Sequence, residues 1–295
     1  MLSFNFRPVD HNRQTRILAT LGPATDSVEA IGKLLDAGAN IFRLNMSHAR
    51  HDWAKTTTAH IREAAAQRGR VPAVLMDLQG PAIRTGDLPE PLELKQGDRF
   101  DFTVDATVKG DRVVGVNYPD FLNDIEVGAI ILIDNGLIRM KVLNKTESVA
   151  ECEVDIGGTM GSRRHINLPG TKVSLPALTE KDRRDAALGL ELGVDYLALS
   201  FVREAADVEE LQALIQAGDH PTMVVAKIED QHAVKRIRRI IKAADAIMVA
   251  RGDLGVECPY EELPIIQRHI VRECLTVGKP VEVATHTPDS MNNEP

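Results

Sequence analysis

One local pattern recurs along this chain: an amphipathic helix, a small residue or Gly, an Asp, Asn or Pro, and then a short apolar strand. In residues 27–37 the apolar helix face is Val28, Ile31, Leu34 and Leu35, and Gly38-Ala39-Asn40 leads into the strand 41–46. The spacing is that of a helix with one buried side. Thr179-Glu180-Lys181-Asp182 has the form of a capping box and opens a helix predicted over 180–192, which leads through Gly193, Val194 and Asp195 into the strand 196–201. Helices predicted over 230–243 and 261–276 lead through Ala244-Asp245 and Gly278-Lys279-Pro280 into strands reaching Asp253 and Thr285. Residues 17–21, 73–77 and 223–229 supply the remaining apolar strands.

Strands near 17, 41, 73, 196, 223, 246 and 281 make seven βα-type units. Alternating β and α elements with apolar strands call for a parallel sheet, and this many units call for a (β/α)8-type TIM barrel rather than an open doubly wound sheet. A closed barrel takes eight strands, so the expectation is an incomplete seven-stranded barrel domain over 15–85 and 174–295. Its edge strands would invite association. Residues 86–173 break the pattern with short Val- and Ile-rich runs and the turn signals Lys109-Gly110-Asp111 and Asp134-Asn135-Gly136. They read as a small all-β insert on the functional rim, placed to act as a water-excluding lid.

Composition narrows the class further. Of 295 residues, 43% are apolar but only 4% aromatic, which suits buried parallel strands rich in Ala, Val, Ile and Leu. A net charge of -8 offers no broad basic surface, so no nucleic-acid partner is expected. Lys235, Arg236, Arg238 and Arg239 read as the solvated face of a helix, with an anion site as the alternative. Cys152, Cys258 and Cys274 have neither zinc spacing nor a disulfide framework, which points to a reducing cytoplasm. No apolar run approaches transmembrane length, and no membrane partner is expected.

The chemistry-bearing residues gather at strand ends. Lys227 and Glu229 are two apart in a strand and so face the same way, and Asp253 closes the next predicted strand. A cation and two carboxylates at neighbouring strand ends can hold a divalent metal and stabilise a transferring phosphoryl group. Asn45, Ser47 and Asp77 offer oxygen ligands for a hard cation, while Arg43 and Arg84 suit phosphate. Each has a plainer alternative: Arg43 pairing with a core acid, Asn45 capping a turn, His48 as a surface histidine, Lys227 and Glu229 as a structural ion pair, and Asp253 as a cap. In Ala250-Arg251-Gly252-Asp253-Leu254-Gly255 two glycines let backbone N–H groups approach an anion.

Ordered strings of residues carry a resemblance. They are Ala19-Thr-Leu-Gly-Pro-Ala24, Arg43-Leu-Asn-Met-Ser-His48, Asp77-Leu-Gln-Gly-Pro81 with Ile83-Arg-Thr-Gly86, Asn167-Leu-Pro-Gly170 and Leu175-Pro-Ala-Leu-Thr-Glu-Lys-Asp182. Ala226-Lys-Ile-Glu229, Met248-Val-Ala-Arg-Gly-Asp-Leu-Gly-Val-Glu257 and Gly278-Lys-Pro280 with Ala284-Thr285 follow. In this order the chain resembles the pyruvate kinase family. The resemblance implies phosphoryl transfer from phosphoenolpyruvate to ADP, giving pyruvate and ATP, the last step of glycolysis. It implies Mg²⁺ or Mn²⁺ on Glu229 and Asp253, and K⁺ on Asn45, Ser47, Asp77 and the Leu78 carbonyl. Lys227 would neutralise the moving phosphoryl group. Ala250, Arg251, Gly252, Asp253 and Thr285 would hold the substrate, with Thr285 also serving enolate protonation through water. Arg43 and Arg84 would contact phosphates. Pro23, His48, Trp53, Arg84 and Arg164 match nucleotide-contacting positions.

The chain also departs from the family pattern. Ala82 stands where the family carries the Glu or Lys linked to K⁺ dependence, Arg164 replaces a lysine, and Pro288 follows Thr285 closely. Relatives continue into an eighth strand and a carboxy-terminal domain that supports tetramers, so homo-oligomer formation is expected to be weakened. Two other readings remain open. One is a Mg²⁺-dependent lyase or aldolase acting on a 2-oxo acid. The other is an inactive chain that binds only metal, nucleotide or a full-length relative.

Overall fold

The computed structural model describes residues 15–218 and 220–284. In chain order the elements begin with β1 (Leu18–Thr20), α1 (Val28–Asp36), β2 (Ile41–Asn45), α2 (His51–Arg68) and β3 (Ala73–Asp77). Then come β4 (Leu92–Leu94), β5 (Arg99–Thr103), β6 (Val113–Gly115), α3 (Phe121–Asp124), β7 (Ile130–Ile133) and β8 (Ile138–Lys145). They are followed by β9 (Val149–Ile156), β10 (Gly158–Met160), β11 (Ile166–Asn167), α4 (Glu180–Leu192), β12 (Tyr196–Leu199) and α5 (Ala205–Ala217). The last are β13 (Met223–Ile228), α6 (Gln231–Lys235), α7 (Ile237–Ala243), β14 (Ala246–Ala250), α8 (Arg251–Glu257), α9 (Leu263–Thr276) and β15 (Val281–Ala284).

These elements form two compact units. The first comprises Met1–Gly80, Leu178–Ser200 and Ala206–Ala226, and the second Pro81–Ala177, Phe201–Ala205 and Lys227–Pro295. In the first, β1, β2, β3, β12 and β13 lie side by side and parallel, with Arg43 opposite Leu75 and Tyr196 opposite Met223. Parallel strands covered by helices bury both faces, and Phe42, Leu44, Met76, Leu197 and Leu199 are all fully buried. Side chains fix the joints. Ser27 Oγ accepts the Ala30 N–H at 3.2 Å to start α1, and Asp195 Oδ2 accepts the Val74 N–H at 2.7 Å to brace β3. The capping box at Thr179 and Asp182 forms as the sequence predicts.

The second unit holds the β-rich insert and the parallel pair β14–β15, in which Ala250 lies opposite Ala284. The insert is a six-stranded sheet in the order β11-β7-β8-β9-β5-β6, beside the small antiparallel pair β10–β4. Its core packs Phe100, Phe102, Phe121, Ile131, Met140, Val142 and Cys152, with Phe100 edge-on to Phe102 at 5.4 Å. The β7–β8 hairpin turns through Asp134, Asn135 and Gly136, all at positive φ, where Asn and Gly are the natural occupants. The insert's entry and exit strands bond to each other: Thr85 N–H donates to Arg164 O and Ile166 N–H to Ile83 O, both at 2.9 Å.

Three boundaries differ from the sequence expectation. The strand expected to reach Asp253 stops at Ala250, and α8 begins at once, so Asp253 sits in the first turn of a helix. The helix expected over 230–243 is two, α6 and α7, interrupted at Arg236 with φ -109° and ψ 10°. The helix expected from 261 starts as α9 at Leu263, after a tight turn over Tyr260–Glu262. Pro264 is suited to that first helical turn, where its missing N–H costs nothing. The last expected strand is described to Ala284, and Thr285 lies outside the described residues.

Candidate active site

Lys227 and Glu229 leave β13 on the same side, as their two-residue spacing requires. Lys227 Nζ lies 2.9 Å from Glu229 Oε1, with side chains only 10% and 1% exposed. The second oxygen, Oε2, accepts the Phe201 backbone N–H at 2.6 Å. Phe201 makes this bond from a left-handed conformation, φ 54°, which is rare and costly for a bulky residue. Burial pushes the Glu229 carboxyl above its usual range; Lys227 pulls it down, and the charge of Asp253 pushes it further up. The desolvation of a fully buried carboxylate outweighs its one ion pair.

Asp253 reaches this region from α8, whose first residue is anchored by Arg251 Nε donating to Ala284 O at 2.8 Å. Gly252 follows in the same turn, and Ala250, the last residue of β14, is buried. The charge of Asp253 also reaches His165, whose imidazole burial holds below its usual range. The His165 ring lies 6.3 Å from that of Phe201. At the far end of α8, burial pushes Glu257 up to about 7, against the bond it accepts from Asn167. A cavity of about 70 Å³ opens beside these groups, lined by Glu229, Asp230, His232, Glu257, Asn167 and Arg203 among others.

Two of the expected nucleotide residues belong to this second unit and are engaged locally. Arg84 Nη1 donates to Arg163 O at 3.0 Å, and Arg164 pairs with Asp134 at 3.2 Å. Of the basic run, Lys235, Arg238 and Arg239 are exposed and Arg236 is half-buried; Arg238 pairs with Glu273, and Lys235 also borders the cavity.

The first unit gathers the other set. Arg43 Nε donates to Asp77 Oδ2 at 2.7 Å, its Nη2 reaches the same oxygen at 2.5 Å, and its Nη1 donates to Thr20 Oγ1 at 3.1 Å. Asn45 Oδ1 accepts the Ser47 N–H at 3.1 Å, and the Leu78 carbonyl accepts the Ser200 hydroxyl at 2.7 Å. The pairing of Arg43 with a core acid and the turn at Asn45 are thus both present. His48 N–H donates to Asn45 O in that turn, and Trp53 Nε1 donates to Asp26 Oδ2 at 2.7 Å. Pro23 lies in the turn after β1.

Sequence reasoning did not single out Phe201, His165 or Ser200, and it quoted Asn167 and Glu257 without giving them a role. The left-handed backbone of Phe201 has no signature in its side chain. Asn167 and Glu257 meet across 90 positions.

Among known proteins, the family description "Pyruvate kinase, barrel domain" matches residues 12–295. The chain is 43% identical to the chloroplastic pyruvate kinase isozyme G of Nicotiana tabacum, over 96% of this chain and 50% of that protein. It is 42% identical to the pyruvate kinase of Geobacillus stearothermophilus, over 96% of this chain and 49% of that one. A solved pyruvate kinase structure from Cryptosporidium parvum superposes with a TM-score of 0.90 at 35% identity, covering 95% of this chain and 59% of that one. The chain spans about half the length of the curated relatives it matches. With this match, the parallel strands are those of an incomplete (β/α)8-type barrel that carries a separate β domain.

Proposed function

Because the chain belongs to the pyruvate kinase family, we propose that its second unit carries a phosphoryl-transfer centre that moves the phosphoryl group of phosphoenolpyruvate to ADP, giving ATP and pyruvate. The observation that carries this reading is the buried pair Lys227–Glu229 at 2.9 Å, with the charge of Asp253 acting on the same carboxylate.

The donor set fits a hard divalent cation. The charge of Asp253 raises the cost of ionising Glu229, and a Mg²⁺ or Mn²⁺ ion would relieve it. Among the described residues no three His, Cys, Asp or Glu side chains form a ready-made metal centre. Glu229 and Asp253 would therefore hold the ion together with oxygens of substrate and water, as suits Mg²⁺. When bound, the ion supplies positive charge to the oxygens around the transferring group. The oxygens of Asn45, Ser47, Asp77 and the Leu78 carbonyl are likewise of the type that takes K⁺.

The chain's own part is electrostatic and positional. Lys227 holds a cation in a nearly dry site, where it stabilises charge on a moving phosphoryl group far more than it would in water. The segment from Ala250 to Asp253, with Thr285, is assigned the substrate carboxylate, and Thr285 the proton that reaches the enolate through water. Arg43 and Arg84 take phosphate contacts, and Pro23, His48, Trp53 and Arg164 the nucleotide. The insert is assigned the role of a lid, with the barrel portion taken as 15–85 and 174–295 and the lid as 86–173. Three free, buried cysteines support a reducing compartment such as the cytoplasm, and no described helix is long and apolar enough to cross a membrane.

The test compares the purified chain with its Lys227→Met variant for ATP formation from phosphoenolpyruvate and ADP, with Mg²⁺ and K⁺ present. The expected loss is about 10²- to 10³-fold. Equal rates would remove the lysine from the mechanism. Cleavage of a 2-oxo acid without ATP formation would turn the assignment to the lyase.

A further inference from the structure

We infer that Glu257 is a positioning residue: with Asn167 it ties the exit strand of the β insert to the helix that carries Asp253, and so fixes where that carboxylate stands relative to Glu229. The inference rests on the metal reading of Glu229 and Asp253 given above.

Glu257 is the last residue of α8, and Asp253 lies in its first turn, four residues earlier. Residues so spaced share one face of a rigid helical turn, so holding one end orients the other. Two bonds hold the Glu257 end. Its Oε1 accepts Asn167 Nδ2 at 3.1 Å, and its backbone carbonyl accepts Gln231 Nε2. Gln231 stands two residues after Glu229. Glu257 therefore links the helix of one acid to the segment bearing the other, and both to the insert.

Asn167 is a firm anchor. Its backbone lies in β11, opposite Leu132 of β7, and the residue is only 5% exposed. Its remaining side-chain oxygen, Oδ1, accepts no hydrogen bond among the described residues, and the residue lines the 70 Å³ cavity. A buried amide with one unmet acceptor, set against a carboxyl, is a poor way to gain stability; apolar side chains of similar volume would do better. What the pair provides is direction. Bonds of this kind behind first ligands are worth about 10- to 100-fold in metal affinity elsewhere.

The experiment titrates Mn²⁺ into the chain without substrate and follows binding by electron paramagnetic resonance, with thermal unfolding as the control for folding. Glu229→Gln should abolish binding. Glu257→Ala and Asn167→Ala should each weaken it about tenfold, and the double variant should lose no more than either alone. Glu257→Gln still presents an oxygen to Asn167, so it should stay within about twofold of the unaltered chain. If the alanine variants bind Mn²⁺ as tightly as the unaltered chain, the inference is wrong. It is equally wrong if Glu257→Gln loses as much as Glu257→Ala, because the carboxylate would then act by its charge. Should Glu257→Ala not fold, Asn167→Ala and Glu257→Gln decide the matter alone. Binding indifferent to Glu229→Gln overturns the metal reading itself, and this inference with it, a result distinct from normal binding by the alanine variants.

Discussion

The backbone N–H of Phe201 meets Glu229 Oε2 at 2.6 Å only because Phe201 adopts φ 54°. A residue outside the motif strings thus supplies the second donor to the most buried acid of the site. Each oxygen of Glu229 is held by a group of different character: a side-chain ammonium on one side and a peptide dipole on the other.

Replacing Phe201 tests that arrangement. Phe201→Gly keeps the N–H and relaxes the left-handed backbone, so it should lose only the packing of the ring. Phe201→Pro removes the donor and cannot reach a positive φ, and should cost about 3 kcal/mol or more. Urea denaturation of both variants checks this, and equal midpoints would show that the bond to Glu229 carries no stability.

Asp182 holds the loop that follows β3. It is fully buried, its Oδ1 accepts the Gly80 N–H at 3.0 Å, and its Oδ2 accepts the N–H and hydroxyl of Thr179. Asp182→Ala strands all three donors and should destabilise by about 3 kcal/mol. Thr179→Ala, which removes only the cap, should cost about 1 kcal/mol. Thermal unfolding of the two variants orders them, and a Thr179 effect as large as that of Asp182 would place the stabilisation in the cap alone.

Cys152 makes stability fall at alkaline pH. Burial pushes its thiol from 9.0 up to about 12. Above about pH 9 the unfolded chain loses this proton while the folded chain keeps it, so its contribution is complete below that pH and declines above it. Between neutral pH and about pH 10.5, Cys152→Ala should lose about 2 kcal/mol less than the unaltered chain, although it starts lower because of the cavity it leaves. Denaturation at the two pH values measures the difference, and parallel losses would place the alkaline sensitivity in other groups.

Much of this arrangement is legible in residue spacing. The capping box at Thr179 and Asp182 sets the start of α4, and the two-residue step from Lys227 to Glu229 puts both side chains on one side. Where glycines interrupt the pattern, legibility falls. Arg251-Gly252-Asp253-Leu254-Gly255 has weak helix propensity, yet it forms most of α8, held by the Arg251 bond to Ala284 O. A break at Arg236 leaves no mark in the apolar period that runs through Val234, Ile237, Ile240 and Ile241. In the candidate site, the residues within one strand could be read directly. The pairing of Arg43 with Asp77 depends on neighbouring strands, and that of Asn167 with Glu257 on tertiary folding.

The bonds between Thr85 and Arg164 and between Ile83 and Ile166 bring the two ends of the insert side by side. A segment that leaves and returns at one point behaves as a cassette. It can lengthen, shorten or be exchanged between relatives without altering the spacing of the strands on either side, because a tight hairpin would join the same two ends. The insert is therefore free to diverge at its outer loops faster than the strands that carry it, and its removal is a practical operation on the gene.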